Sequence, residues 1–316
     1  MEDPRHALAA VRAQIAKAVI GQDDVVWGLT AALLLRGHVI LEGVPGVAKT
    51  LLVKAVAHAL ELDFRRIQFT PDLMPSDVTG NLVYEAATGE FRFRAGPIFA
   101  NLVLADELNR TPPKTQAALL EAMEERQVSV EGIARPLPDP FIVVATQNPI
   151  EYEGTYPLPE AELDRFLFKL RVGYPEREQE RQVLLMHDRG LDPHDLASLG
   201  VERAADASVL AAGAAAVTAV RVTGEIVDYV LTLAHETRTS PALALGVSPR
   251  GAAMLLRAVK SWAWLSGREF VTPDDVKSLL KPTWRHRLVL RPEVELEGAS
   301  ADSVLDSLAD RVPVPA

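Results

Sequence analysis

The sequence contains no cysteine, which excludes disulfides, thiolate metal sites and cysteine nucleophiles. Aromatic residues make up only 6% of its 316 residues, so aliphatic side chains must fill the core. No apolar run reaches the roughly 18 residues that a membrane span needs, and residues 1–10 lack the basic and then apolar segments of a signal peptide. We therefore expect a cytoplasmic globular protein with no direct membrane insertion.

The sequence also has fewer basic than acidic residues. The 33 Lys and Arg residues are outnumbered by 43 Asp and Glu residues, which gives a formal net charge of −10 at pH 7. Such a chain has no overall positive field to attract polyanions. We therefore expect no nucleic-acid partner.

Residues 1 to about 175 alternate short apolar runs with helical patterns, which is typical of a parallel sheet covered by helices on both faces. The predicted fold is α/β, with a doubly wound parallel sheet of five strands. The predicted strands are His38–Leu41, Phe64–Phe69, Leu102–Ala105, Phe141–Ala145 and Phe166–Val172.

Two helices of this region are marked by their sequence. Apolar residues recur at helical spacing between Lys49 and Leu60, which predicts an amphipathic helix. Thr111 followed by Pro112 is typical of an N-cap and a first helical residue, and predicts a second helix through Met123.

From residue 223 onward the pattern is helical throughout. Ile226, Val230 and Leu233 mark one helix face, and two N-cap and proline pairs indicate further helix starts, at Ser248-Pro249 and Thr272-Pro273. Residues 188–219 lack clean periodicity, although the Ala-rich Val209–Val217 favours a helix over a linker. The predicted organisation is an α/β domain at 1–190, a connecting segment at 191–220 and a smaller all-α domain at 221–316.

The strongest chemical signal is the segment Gly43–Thr50 between a strand and a helix. Such a loop points backbone N–H groups and a helix N-terminus at one spot, which suits a triphosphate. Lys49 would reach the β and γ phosphates, and Thr50 would ligate Mg²⁺. Ala48 stands where the pattern has a second glycine, so the loop requires either a negative φ there or room for the Cβ. Without other motifs, an ordinary turn before a helix also fits.

Two carboxylates follow the predicted buried strand Leu102–Ala105. Asp106 would hold the metal, and Glu107 would orient and deprotonate the attacking water. Asn148 follows a further strand and would contact the γ-phosphate or that water. A polar turn and an Asn-Pro turn are the alternatives, but strand ends in open α/β sheets are where ligands bind, which favours the functional interpretation.

Together these motifs resemble the MoxR-type AAA+ ATPases, from about residue 5 to about residue 290. The matching segments are Gly43–Thr50, Phe69–Asp77, Ala105–Arg110, Ala145–Pro149 and Pro159–Phe166. The resemblance implies a P-loop AAA+ core followed by a helical lid. Ala48 is usual in that family, so nucleotide binding is expected to survive it.

The resemblance also implies a site for ATP or ADP with Mg²⁺. Arg165 matches an arginine finger that acts on the nucleotide of a neighbouring subunit, and Arg250 matches the sensor II arginine, in cis or in trans. A surface arginine paired with Asp164 or Glu162 is the alternative for Arg165. The predicted catalytic residues are Lys49, Glu107, Asn148, Arg165 and Arg250, with Thr50 and Asp106 as metal ligands. The predicted nucleotide-binding residues are Ile20, Gly21, Gln22, Gly43, Val44, Pro45, Gly46, Val47, Ala48, Lys49, Thr50 and Leu51. A turn between two N-terminal helices is the alternative for Ile20–Gln22, and an ordinary exposed helix arginine is the alternative for Arg250.

Two hairpins are predicted within the first domain. The segment 82–94 turns at Thr88-Gly89, and the segment 127–136 turns at Glu131-Gly132. The resemblance identifies them as a helix-2 insert, about 73–96, and a pre-sensor I hairpin, about 127–138, both facing a ring pore. The alternative is that they are passive surface ribbons.

The resemblance implies a homo-oligomeric ring, a hexamer, that hydrolyses ATP to remodel or assemble client proteins. Proteins with von Willebrand factor A domains are the implied partners, and maturation of metalloenzymes or complexes is the implied outcome. The alternatives are a magnesium-chelatase-like motor subunit, a nucleic-acid-acting AAA+ protein, which the acidic balance disfavours, and a scaffold that binds ATP without turnover, which the intact motif set disfavours.

Overall fold

The computed structural model describes residues 3–148, 156–192 and 195–315. Contacts divide the chain into two units, one formed by residues 1–158 and 170–209 and the other by residues 159–169 and 210–316. This division begins the second unit at Leu210, whereas the sequence prediction begins the helical domain at residue 221. Among the described residues, no helix is both long and apolar enough to cross a bilayer.

The first unit contains the sheet, apart from most of its last strand, and the helices that cover it. Its elements in chain order are α1 Pro4–Ala18, α2 Asp23–Leu35, β1 His38–Glu42, α3 Lys49–Ala59, β2 Phe64–Gln68, α4 Pro75–Thr79, β3 Gly80–Glu85, β4 Glu90–Ala95, β5 Leu102–Asp106, a 3₁₀ turn Leu108–Arg110, α5 Pro113–Glu125, β6 Gln127–Val130, β7 Ile133–Pro136 and β8 Ile142–Gln147. After α6 Glu160–Leu163, which belongs to the second unit, come β9 Phe166–Arg171, of which residues 166–169 also fall in the second unit, and α7 Arg177–Asp188.

The central sheet has five strands in the order β2-β5-β8-β1-β9. β2 pairs with β5, β5 with β8 and β8 with β1, all in parallel. The interior strands β5, β8 and β1 are buried along nearly their whole length, as apolar runs in a covered parallel sheet require. Because the chain passes from β1 across the sheet to β2, the carboxyl ends of β1, β5 and β8 meet at a topological switch point, where ligands bind in such folds.

The five predicted strands are confirmed to within two residues at each end, but the predicted start of α5 is wrong. Pro112, expected at the first helical position, is the N-cap in extended conformation (φ −59°, ψ 153°), and the helix begins at Pro113. A residue before proline is disfavoured in the helical region, and Pro112 is such a residue. Thr111, the expected N-cap, is fully buried instead.

Both predicted hairpins are present as two-stranded antiparallel ribbons, β3 with β4 and β6 with β7. Gly89 and Gly132 adopt positive φ at their turns (72° and 77°), which explains why glycine is needed there. The registers Leu82↔Phe93 and Tyr84↔Phe91 place four apolar side chains on one face of the first ribbon. That the two hairpins face a ring pore stays a prediction.

The second unit is mainly helical and also carries a short ribbon. Its elements after α6 are α8 Ala207–Ala219, α9 Gly224–Thr239, β10 Leu243–Leu245, α10 Pro249–Leu265, α11 Pro273–Trp284, β11 Val289–Leu290, α12 Pro292–Leu296 and α13 Ala301–Arg311. The helix predicted in the Ala-rich segment is confirmed as α8.

Two predicted helix starts are confirmed by their caps. The Ser248 hydroxyl accepts a hydrogen bond from the Gly251 N–H at 3.0 Å at the start of α10. The Asp275 carboxylate accepts from the Thr272 N–H at 2.7 Å at the start of α11. Each cap satisfies a backbone group that the helix end would otherwise leave unpaired.

Candidate functional site

The loop after β1 has the backbone that its glycines predict. A Cβ on Gly43 would lie 2.5 Å from the Val172 carbonyl oxygen, so no larger residue fits without displacing the neighbouring strand end. Gly46 has a φ of +87°, a value that L-residues rarely adopt. Lys49 begins α3, and its Nζ donates to the Gly43 carbonyl oxygen at 2.5 Å.

Ala48 adopts a left-handed conformation, with φ +60° and ψ +25°. The sequence analysis required either a negative φ at Ala48 or room for its Cβ. Because φ is positive, it is the second condition that the loop meets. A non-glycine residue in this region costs about 1–2 kcal/mol. The loop keeps the backbone typical of glycine although the residue is alanine.

Asp106 ends β5, and its two carboxylate oxygens have different partners. The Thr146 hydroxyl donates to Oδ1 at 2.6 Å, and Arg66 Nη2 forms an ion pair with Oδ2 at 2.6 Å. The Asp106 side chain is 14% exposed and that of Arg66 is 49% exposed. Thr146, near the end of the neighbouring strand β8, thus orients one carboxylate oxygen of Asp106, the predicted metal ligand.

Glu107 follows the strand in a left-handed conformation (φ 57°, ψ 46°), which is uncommon for a residue other than glycine. Its N–H donates to the Thr146 hydroxyl oxygen at 2.9 Å. Its carboxylate accepts from Gln68 Nε2 at 2.7 Å, and Arg110 Nε lies 3.3 Å from the same oxygen. Strained residues of this kind cluster at functional sites.

Three residues of this network were missed by the sequence analysis, namely Thr146, Arg66 and Gln68. Thr146 lies near the end of β8, and the other two lie on β2, whose pairing with β5 places Gln68 opposite Asp106. For Thr146 and Gln68 the available signal was a polar side chain close to the end of a predicted strand, whereas Arg66 lies in the middle of its strand. Their partners depend on the strand order, which chain position alone does not give.

A cavity of about 510 Å³ in the first unit joins these groups. Its polar part is lined by residues 45–50 of the loop together with Asp106, Glu107, Thr146 and Asn148. Its apolar part is lined by side chains that include Val19, Ile20, Val183, Met186, Leu191 and Leu199. A cavity of this size with polar and apolar lining residues fits a small ligand that has a charged end and an apolar end.

Most of the predicted nucleotide-binding residues line this cavity. Ile20, Gln22 and Leu51 are among them, and Gln22 Nε2 donates to the Gly173 carbonyl at 2.9 Å. Within the described residues, Gly21, Gly43 and Val44 are outside the lining. Thr50 and Asp106 both line it, and a hydroxyl and a carboxylate are oxygen ligands of the kind that Mg²⁺ prefers.

Arg165 and Arg250 belong to the second unit. Arg165 Nε lies 3.1 Å from Glu162 Oε2, one of the two partners considered in the sequence alternative. The other, Asp164, is bound by Arg287 instead, at 2.8 Å. Arg250 lies in the first turn of α10. The roles of both arginines in catalysis stay predictions.

Comparison with known proteins agrees with this geometry. Residues 38–168 match the family described as "ATPase family associated with various cellular activities (AAA)", and residues 235–308 match the AAA lid domain. The chaperone MoxR1 of Mycobacterium tuberculosis is 41% identical over 98% of this chain and 83% of its own length. The chain belongs to the MoxR family of AAA+ ATPases.

Other relatives of this MoxR-family chain support the same assignment. The protein YeaC of Bacillus subtilis is 48% identical over 99% of this chain and 97% of its own length. The crystal structure of a "putative ATPase" from Cytophaga hutchinsonii matches with a TM-score of 0.90 and 37% identity, covering 99% of this chain and 96% of that one. The predicted α/β AAA+ core with a helical lid is therefore confirmed.

Proposed function

We propose that this MoxR-family protein hydrolyses the β-γ phosphoanhydride of ATP with Mg²⁺ and couples hydrolysis to the remodelling of client proteins. The observation that supports the proposal most strongly is that one cavity is lined by the phosphate loop, both acidic residues and Asn148. A phosphoryl-transfer site needs these groups together, because it works by positioning and charge stabilisation.

Each side chain at the polar end has a distinct task. The Lys49 ammonium binds the β and γ phosphates, and Thr50 and Asp106 hold the metal. When bound, Mg²⁺ neutralises charge on the phosphate oxygens. Glu107 orients the attacking water and accepts its proton, and Asn148 binds the γ-phosphate or that water.

Polar side chains orient Asp106 and Glu107 for these two different tasks. Thr146 accepts from the Glu107 N–H and donates to Asp106, so one hydroxyl fixes the two residues relative to each other. Gln68 donates a hydrogen bond to one oxygen of the Glu107 carboxylate and so orients it. The apolar end of the cavity accepts the adenine, beside Ile20 and Gln22.

The assembly that we propose is a cytoplasmic homo-hexameric ring in which Arg165 completes the site of the neighbouring subunit. A guanidinium at the γ-phosphate stabilises charge that develops in the transition state. Arg250 contacts the nucleotide in cis or in trans. The MoxR family resemblance, and the name of the relative MoxR1 as a chaperone, support protein clients, and we propose partners with von Willebrand factor A domains.

The test is the Glu107→Gln variant. Glutamine keeps the shape of the side chain but cannot accept the proton, so kcat should fall by about 10²–10⁴-fold while the Kd for ATP stays within a few fold. Steady-state turnover and calorimetry measure the two quantities. Lys49→Ala is the matched control, because it should abolish tight ATP binding itself.

The same variant also tests the proposed clients. Incubated with ATP, Glu107→Gln should retain a protein with a von Willebrand factor A domain in a pull-down, whereas Lys49→Ala should not. Wild-type turnover in Glu107→Gln would exclude Glu107 as the base. Equal capture by both variants would contradict ATP-dependent client binding.

A further inference from the structure

Residues 159–169, here called the finger segment, contain Arg165 and belong to the second unit. Asp164, next to Arg165, is bound by two side chains from the rest of that unit. Arg287 Nε donates to Asp164 Oδ1 at 2.8 Å, and the Ser248 hydroxyl donates to Asp164 Oδ2 at 2.9 Å. Each carboxylate oxygen of Asp164 therefore accepts a hydrogen bond from another side chain of the unit.

Arg287 also holds the backbone on both sides of Arg165. Its Nη2 donates to the Phe166 carbonyl oxygen at 2.6 Å and to the Asp164 carbonyl oxygen at 3.3 Å. Its Nη1 donates to the Thr283 carbonyl oxygen at the end of α11. One planar guanidinium thus fixes the peptide group that precedes Arg165 and the peptide group that follows Phe166 against the helical part of the unit.

The charge of Arg287 is maintained although its side chain is only 1% exposed. Burial lowers its pKa to about 10, the negative charge of Asp164 opposes that effect, and the positive charge of Arg250 adds to it. Arg287 therefore remains protonated at neutral pH.

Ser248 connects the same carboxylate to the helix that carries Arg250. Its hydroxyl caps α10 by accepting from the Gly251 N–H while donating to Asp164. Arg250 lies within that first turn. Asp164 is consequently bound both to the end of α11, through Arg287, and to the start of α10.

A buried ion pair is not needed for stability alone, because well-packed apolar side chains of similar volume often stabilise a fold equally well. What apolar side chains cannot do is bind two carbonyl oxygens and a carboxylate in fixed directions. The three acceptors lie on Asp164 and Phe166, the residues that flank Arg165. This arrangement therefore favours a role in orienting that residue.

We propose that Asp164 and Arg287 are positioning residues for Arg165, and that with Ser248 they hold Arg165 and Arg250 in one fixed mutual geometry. The inference rests on the proposed function, in which Arg165 acts on ATP. It adds that the two arginines move as parts of one body, so that neither approaches a nucleotide independently of the other.

The experiment is a double-mutant cycle in the full-length, assembled protein, with Arg165→Ala, Asp164→Asn and the combination of both. Arg165→Ala should lower kcat by about 10³-fold or more. Asp164→Asn should lower kcat by about ten-fold to 10²-fold through misplacement of the finger, with an unchanged Kd for ATP. Because Asp164 acts through Arg165, the combined variant should turn over as slowly as Arg165→Ala alone.

The outcomes separate this inference from the proposed function. Losses that multiply in the combined variant, or an unchanged kcat in Asp164→Asn, would overturn the positioning role while leaving the finger intact. An unchanged kcat in Arg165→Ala would remove the finger itself and the positioning role with it.

A second substitution covers the case in which Asp164→Asn fails to fold, as its melting temperature would reveal. Ser248→Asp keeps a good N-cap residue but places a second carboxylate against Asp164. It should lower kcat by about ten-fold in the wild-type background and have no effect on kcat in the Arg165→Ala background. Ser248→Thr keeps the hydroxyl and, as the control, should have a kcat close to that of the wild type. The same loss of kcat in both backgrounds would contradict the inference.

Discussion

Two charged clusters in this protein use similar ion pairs in different surroundings. At the end of the sheet, Asp106 pairs with Arg66, whose side chain is 49% exposed. In the second unit, Asp164 pairs with Arg287, whose side chain is 1% exposed. An exposed pair is weak and screened by water, so a ligand can replace it, whereas a pair with a buried member persists because separation would leave a charge without solvent. The first arrangement suits exchange of partners, and the second suits a fixed geometry.

The largest expected effect concerns the buried cluster. Arg287→Met removes the guanidinium and leaves Asp164 and two carbonyl oxygens without their donor, so the free energy of unfolding of the second unit should fall by about 3 kcal/mol. Arg66→Met is the matched control at the exposed pair and should cost less than about 1 kcal/mol. Urea unfolding of both variants measures the difference. Equal losses would show that exposure does not distinguish the clusters.

A smaller effect is expected within the exposed cluster, at Thr146. Valine has the shape of threonine without the hydroxyl that joins Asp106 to the Glu107 N–H. Losing a hydrogen bond to a charged group costs about 1.5 kcal/mol, so kcat should fall by about ten-fold in Thr146→Val. Thr146→Ser retains the hydroxyl and should stay close to wild type. Steady-state kinetics test this, and wild-type turnover in Thr146→Val would show that the hydroxyl is dispensable.

The smallest expected effect is on pH dependence, at His286 beside Arg287. Burial lowers the pKa of His286 well below its usual value, and the charges of Arg287, Lys169 and Arg285 contribute. The unfolded chain then takes up a proton near pH 6.5 that the folded unit does not, so stability is lost as the pH falls below that value. From pH 7 to 5.5 the loss due to this residue should be about 1 kcal/mol.

His286→Gln, which cannot take up a proton, is the control for that effect. The difference between the wild-type and variant unfolding free energies should change by that amount across the same pH range. Identical pH dependence in the two proteins would show that His286 is protonated equally in the folded and unfolded states.

Much of the fold could be predicted because its signals are local. β1, β5 and β8 are short apolar runs, and the turns of both hairpins contain a glycine at positive φ. The caps at Ser248 and Asp275 depend on residues only three positions apart. Local patterns of this kind do not require knowledge of the tertiary structure.

The side chains that orient the site could not be predicted in the same way. Gln68 contacts Glu107, 39 positions away, only because β2 pairs with β5. Arg287 lies in the run Trp284-Arg285-His286-Arg287, which has the composition of a solvated helix end, yet it is buried. In both cases the function of the residue depends on packing between distant segments, and spacing along the chain carries no information about it.

One contact between the two hairpins has a consequence for how they can move. The Arg135 guanidinium on β7 lies 4.0 Å from the centre of the Phe93 ring on β4, and that ring packs edge-on against Phe99. β7 immediately precedes the stretch that enters β8, whose end carries Thr146. At an exposed site, the attraction between a cation and an aromatic face is about 0.5–1 kcal/mol. Displacement of β7 alone would lose this attraction, so the contact favours joint displacement of Arg135 and Phe93.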